Sequence, residues 1–154
     1  MRRSIRVTVV TAALFLVFPV AVVQANPGLS VHFDVQTTLN APSGGPFIAT
    51  GVAVDNGLVC PAGSTIDASY MWTGGQSKAG GSNYQVLKDF ICDNESGSLL
   101  LKLQVRIDPN RGSTYSWTVV GGTGLYTSLR GSGTGYGLPT EYGVNDLLFG
   151  TVHN

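Results

Sequence analysis

Few residues in the chain could carry chemistry, and they are scattered. His32 and His153 are the only histidines among 154 residues, and Gly-x-Ser-x-Gly does not occur. A Ser-His-Asp hydrolase needs its serine on a strained strand-to-helix turn beside an imidazole, so that class is disfavoured. His32 falls on the polar side of an alternating segment and His153 is next to the last residue, as expected of exposed, idle imidazoles. Asp89, Asp93 and Glu95 gather three carboxylates without the spacing of a calcium loop, and a solvated turn accounts for them. Gly121-Gly122-Thr123-Gly124 offers backbone N–H groups to an anion. It lacks a Gly-Lys-Ser/Thr step, a Gly-x-Gly-x-x-Gly pattern and a following helix, so it reads as scaffold. Lys88 and Arg106 stand mid-strand among apolar neighbours. From a pocket wall either could polarise a carbonyl or epoxide oxygen. Their expected place is the outer face, with their stems covering apolar surface. Asn94-Glu95-Ser96 is a glycosylation sequon at a hairpin tip, which matters only in a eukaryotic source. The sequence carries no metal or cofactor motif.

The aromatic residues are the better candidates. Phe33, Tyr70, Trp72, Tyr84, Tyr115 and Trp117 all fall on strand-like segments, where alternation can turn several of them inward. Aromatic walls with a few hydroxyls suit a flat or greasy small molecule. The same side chains could instead fill the interior, and both readings stand. Cys60 and Cys92 are the only cysteines, and they lack the nearby His or Cys-x-x-Cys spacing of a metal or redox pair. In an oxidising compartment they are expected to form one disulfide.

The elements that must position these groups are short. Every one of the 21 glycines lies after residue 27, which leaves room for strands but seldom for helices of ordinary length. The start is different: Arg2, Arg3 and Arg6 precede the apolar run Ala12 to Val23, followed by Val23-Gln24-Ala25. This is the layout of a cleavable secretory signal over residues 1–25, too short to span a bilayer. The expected mature domain, 26–154, is a secreted one. It keeps six basic residues against nine acidic ones, without a basic block. That excludes nucleic acid as an expected partner, and membrane binding after cleavage as well. Strand patterns run over Ser30–Leu39, Phe47–Val54, Ser64–Trp72, Tyr84–Cys92, Leu99–Ile107, Thr114–Val120, Gly131–Gly137 and Asn145–His153. Ile66, Ala68, Tyr70 and Trp72 are expected on one face of the third. Asp55-Asn56-Gly57 and Asp93 to Gly97 mark turns, and Gly74 to Asn83 is a glycine- and serine-rich connection. Seven or eight strands at this spacing indicate an all-β sandwich or barrel. If the third and fourth strands pair antiparallel, Cys60 and Cys92 come within disulfide reach.

The segment from Trp117 to Tyr126, Trp-Thr-Val-Val-Gly-Gly-Thr-Gly-Leu-Tyr, followed by Leu129-Arg130-Gly131, resembles one shared by plant allene oxide cyclases and dirigent proteins. In it Gly121, Gly122, Gly124 and Gly131 form a structural glycine turn, and the aromatic plugs one end of the fold. The resemblance implies a single eight-stranded antiparallel β-barrel with a mostly apolar cavity. It also implies that the outer barrel face could support a homo-oligomer. No catalytic residue of those families maps onto this chain. The expected function is therefore binding or templating of a small apolar ligand, without a cofactor. The alternatives are a cyclase or isomerase acting on an unstable hydrophobic intermediate, and a solid barrel with a structural or protein-interaction role.

Overall fold

Period-two alternation interrupted by turn residues yields eight strands: β1 (Leu29–Thr38), β2 (Gly44–Thr50), β3 (Ala62–Trp72), β4 (Ser82–Cys92), β5 (Ser98–Asp108), β6 (Gly112–Gly122), β7 (Arg130–Pro139) and β8 (Gly143–His153). The structure, a computed structural model, describes residues 27–39, 42–74, 81–108 and 112–154. The expected signal segment, most of the glycine-rich connection after Gly74 and the tip of the β5–β6 turn lie outside the described residues. Each strand pairs antiparallel with the next, and β8 returns to pair with β1, so the sheet closes into an eight-stranded barrel. The seam runs from Leu29 opposite Val152 to Thr38 opposite Gly143. Closure leaves no exposed edge on a chain with few charges to protect one.

One expected strand ends early. The pattern extends the second strand to Val54, whereas β2 stops at Thr50 and Val52–Asp55 forms a single helical turn, α1. Gly51 takes φ 110°, which breaks the extended run. The turn tucks Ala53 into the core, where its carbonyl accepts the backbone N–H groups of Leu58 and Val59. Gly57, at φ 69°, then releases the chain toward β3.

The two ends of the barrel differ. One is closed by α1, by the 3₁₀ turn Gly124–Tyr126 and by the Cys60–Cys92 disulfide, whose Cα atoms are 6.0 Å apart. Cys92 ends β4 opposite Gly63 of β3, so the antiparallel pairing does set the start of one strand beside the end of the other. Tyr126 and Leu129 are buried at this end, and the Tyr126 hydroxyl shares a 2.7 Å hydrogen bond with Ser96. Of the glycines expected in the turn, Gly124 needs its left-handed φ of 58°, and Gly121 and Gly122 end β6. Gly131 lies inside β7 opposite Val152, so it is a strand residue and not part of the turn.

The core below the barrel axis is aromatic. Phe33, Phe47, Phe90 and Trp117 are each at most 2% exposed. Phe33 meets Phe90 at 5.1 Å between ring centroids and Trp117 at 6.1 Å, in tilted and edge-on arrangements that aromatic quadrupoles favour. The space for Trp117 comes from the strands beside it, where Gly133 of β7 is its cross-strand partner. Gly131, Gly133, Gly135 and Gly137 alternate along β7 on the inward side, and a Cβ at Gly133 would lie 2.7 Å from Trp117 Cε2. A Cβ at Gly150 would collide with the same indole.

Two measurements follow. Gly150→Ala is expected to destabilise the barrel by about 1–3 kcal/mol through overpacking, read from urea unfolding, and an unchanged midpoint would mean the indole has room to move. Reducing the disulfide, which spans 32 residues, is expected to lower Tm by about 10–20 °C by restoring unfolded-chain entropy. The far-UV spectrum should stay that of a barrel, and an unshifted Tm would show the bridge to be idle.

Candidate functional site

The open end holds a cavity of about 220 Å³. Its walls come from inward positions near the ends of β1, β4, β5 and β8: Leu39, Val86, Leu103, Val105, Ile107 and Val144. Its floor is polar and rests on the aromatic core. Lys88 stands there, 3% exposed, and donates a 2.9 Å hydrogen bond to Thr37 Oγ1. Its ammonium lies 3.0 Å from Asp67 Oδ1 and 3.7 Å from Asp146 Oδ2. The outer-face position expected of Lys88 is thus wrong, because it shares its strand face with Val86, Phe90 and Cys92, all turned inward. Arg106 does lie outward and exposed.

The hydroxyls are oriented by these charges. Thr37 Oγ1 donates to Asp146 Oδ2 at 2.7 Å, and Tyr115 donates to Asp146 Oδ1 at 2.6 Å. Because the Tyr115 proton is committed to the carboxylate, Ser113, 2.6 Å away, must donate to the Tyr115 oxygen. On the far side Ser43 donates to Asp67 Oδ2 at 2.6 Å. A continuous chain therefore runs Ser113–Tyr115–Asp146–Thr37–Lys88–Asp67–Ser43, tying β6, β8, β1, β4 and β3 together. Burial first, and the Asp146 carboxylate second, push the Tyr115 hydroxyl up, so it remains a proton donor. Asp67 Oδ1 faces Lys88 but receives no hydrogen bond of acceptable direction, although it is buried.

The six aromatic candidates divide by depth. Phe33 and Trp117 belong to the packed core beneath the floor. Tyr115 and Tyr70 line the cavity. Trp72 and Tyr84 are paired neighbours nearer the rim, and Trp72 is 60% exposed. The interior is therefore filled at one end and hollow at the other. The single face expected for Ile66, Ala68, Tyr70 and Trp72 is also corrected. A register shift between Asp67 and Ser69 absorbs one residue, so Ile66 points outward while Tyr70 and Trp72 share the face of Val86 and Tyr84. The rings of Tyr70 and Tyr84 lie 4.8 Å apart, and partial burial, then the Tyr84 hydroxyl, push Tyr70 up to about 12.

His32 is half-buried on the outer face, stacked on Phe149 at 4.3 Å, away from the cavity. Asp89 lies on the outer side of β4 and Asp93 and Glu95 in the turn after it; among the described residues no three metal-ligating side chains gather. A larger groove of about 510 Å³ beside Gln104, Arg106, Thr114 and Ser116 lies on outward side chains and contains none of the buried ionic groups. Asp67, Asp146, Thr37 and Ser113 were not singled out by sequence. Parity alone would have found Thr37, between Val35 and Leu39, and Asp146, two residues before Leu148.

Comparison with protein-family models, curated proteins and solved structures finds no match.

Removing one member of a buried charge network leaves the others uncompensated. Lys88→Met is expected to cost about 3–5 kcal/mol in urea unfolding. Adding Asp67→Asn and Asp146→Asn should recover a large part of that loss. A Lys88→Met variant as stable as the parent would show that the ammonium contributes nothing to the fold.

Proposed function

We propose that the barrel is a receptacle for a small molecule with an apolar body and one polar end, exported from the cell that makes it. The observation that carries this reading is a hollow with aliphatic walls ending on a buried, hydrogen-bonded ionic floor. Packing alone would favour an apolar residue at position 88, since burying an ion costs several kcal/mol before its partners offset it. At about 220 Å³ the hollow exceeds the ~150 Å³ that takes benzene. It falls short of the ~300 Å³ where drug-sized pockets begin. A single ring or a short chain is the matching size. The single disulfide suits an oxidising compartment, which supports export together with the N-terminal layout. The closed eight-stranded barrel is also the architecture implied by the resemblance to allene oxide cyclases and dirigent proteins, and it supports a cavity-based role.

A second reading, isomerisation or cyclisation of a bound substrate, is favoured by Lys88. A buried ammonium at a cavity floor is a fixed charge in a poorly solvated site, where it acts more strongly on a developing oxyanion than it would in water. Shape and orientation would supply the rest, without a nucleophile.

Titration with phenethyl alcohol, followed by Trp72 and Trp117 fluorescence, is expected to saturate. Val86→Phe, which fills the hollow, should abolish the change while the thermal transition stays cooperative. Absence of a saturable signal in the parent protein would overturn the ligand reading, and turnover of an epoxide or polyene by the parent but not the Lys88→Met variant would favour the enzyme.

A further inference from the structure

We infer that the polar end of the ligand is a cation, a protonated amine or a similar hydrogen-bond donor, and not a carboxylate or other anion. The inference rests on the cavity being a ligand site and concerns the chemistry of its floor. The cavity lining contains one ammonium, Lys88, against two carboxylates, Asp67 and Asp146, and no other charged residue. Lys102 and Arg106, on the neighbouring β5, alternate with the inward Leu103 and Val105 and so face away. The Tyr115 hydroxyl is held neutral by burial and by Asp146. The floor therefore keeps an excess of one negative charge in a place that water solvates poorly, where Coulomb interactions are several times stronger than in bulk.

Donor accounting points the same way. The hydroxyl protons of Thr37, Tyr115 and Ser43 all end on the two carboxylates, and that of Ser113 ends on Tyr115. Lys88 is held by Thr37 and faces both carboxylates. An incoming acceptor finds the hydroxyl protons already committed and meets only the Lys88 ammonium, whose charge two carboxylates already share. An incoming donor meets oxygen lone pairs and relieves the charge excess. Asp67 is the better placed of the two carboxylates, since its side chain is 15% exposed against 8% for Asp146. The Tyr70 ring, which lines the same hollow beside Tyr84, adds a face to which a cation is drawn and an anion is not.

The test compares four probes that share one body: ethylbenzene, phenethyl alcohol, phenethylammonium and hydrocinnamate, titrated into the full chain at neutral pH and followed by NMR shifts. Phenethylammonium is expected to bind about tenfold or more tighter than phenethyl alcohol, and hydrocinnamate to bind more weakly than either. In Asp67→Asn the preference for the ammonium over the alcohol should shrink to about threefold or less, with the thermal transition confirming a folded barrel. If the alcohol and ethylbenzene bind but the ammonium shows no advantage, or the carboxylate binds best, the inference fails while the cavity reading stands. If none of the four binds, both fail.

Discussion

The interior of this barrel is organised by an inequality of side-chain volume between neighbouring strands. An eight-stranded barrel encloses a space that side chains can just fill. Here the β7 wall contributes glycine at four successive inward positions, and Gly150 of β8 extends the gap. Trp117 occupies the space beside Gly133 and Gly150 and meets the Phe33–Phe47–Phe90 cluster edge-on through Phe33. Because they fill one half of the barrel to its walls, the other half has a dry, rigid base. The ionic floor stands on that base, and the hollow above it is walled by aliphatic residues together with Tyr70 and Tyr115.

The floor is expensive in free energy, and its geometry shows how that cost is contained. Asp146 receives protons from hydroxyls on β1 and β6, Asp67 receives one from Ser43 just before β2, and the ammonium sits between them. Five of the eight strands are joined by this one chain of hydrogen bonds and the Lys88–Asp67 ion pair. Such a network fixes the relative register of the strands at the open end, as the disulfide and α1 fix it at the closed end. Functional sites built this way, with side chains locked by their own partners, hold their geometry before any ligand arrives.

Much of the fold was legible in the sequence. Alternation and turn spacing indicated seven or eight strands, and glycine punctuation excluded long helices. The turn at Asn56-Gly57 and the pairing of Cys60 with Cys92 followed from local rules. The failures have physical causes. Val52 to Val54 has the composition of a strand, but the left-handed Gly51 ended the strand before it. Lys88 was assigned outward on residue type, whereas strand parity with Phe90 and Cys92 places it inside. Tyr70 and Trp72 changed sides because a bulge consumed one residue, and no local pattern announces a bulge. Asp67 and Asp146 were invisible as a pair, since only closure of the barrel brings β3 and β8 to one floor.

That closure has a temporal side. The hydrogen bond from Thr37 to Asp146 joins residues 109 apart in sequence. It lies on the β1–β8 seam, the last ladder that an N-to-C chain can complete. Loop entropy must be overcome before such a contact gives anything back, so pairings of this separation belong to slow folding steps. A chain that has made β1 to β7 has its aromatic core largely in hand but lacks one carboxylate, one wall of the hollow and the seam itself. The floor and the hollow are therefore complete only once the eleven-residue β8 has docked on β1.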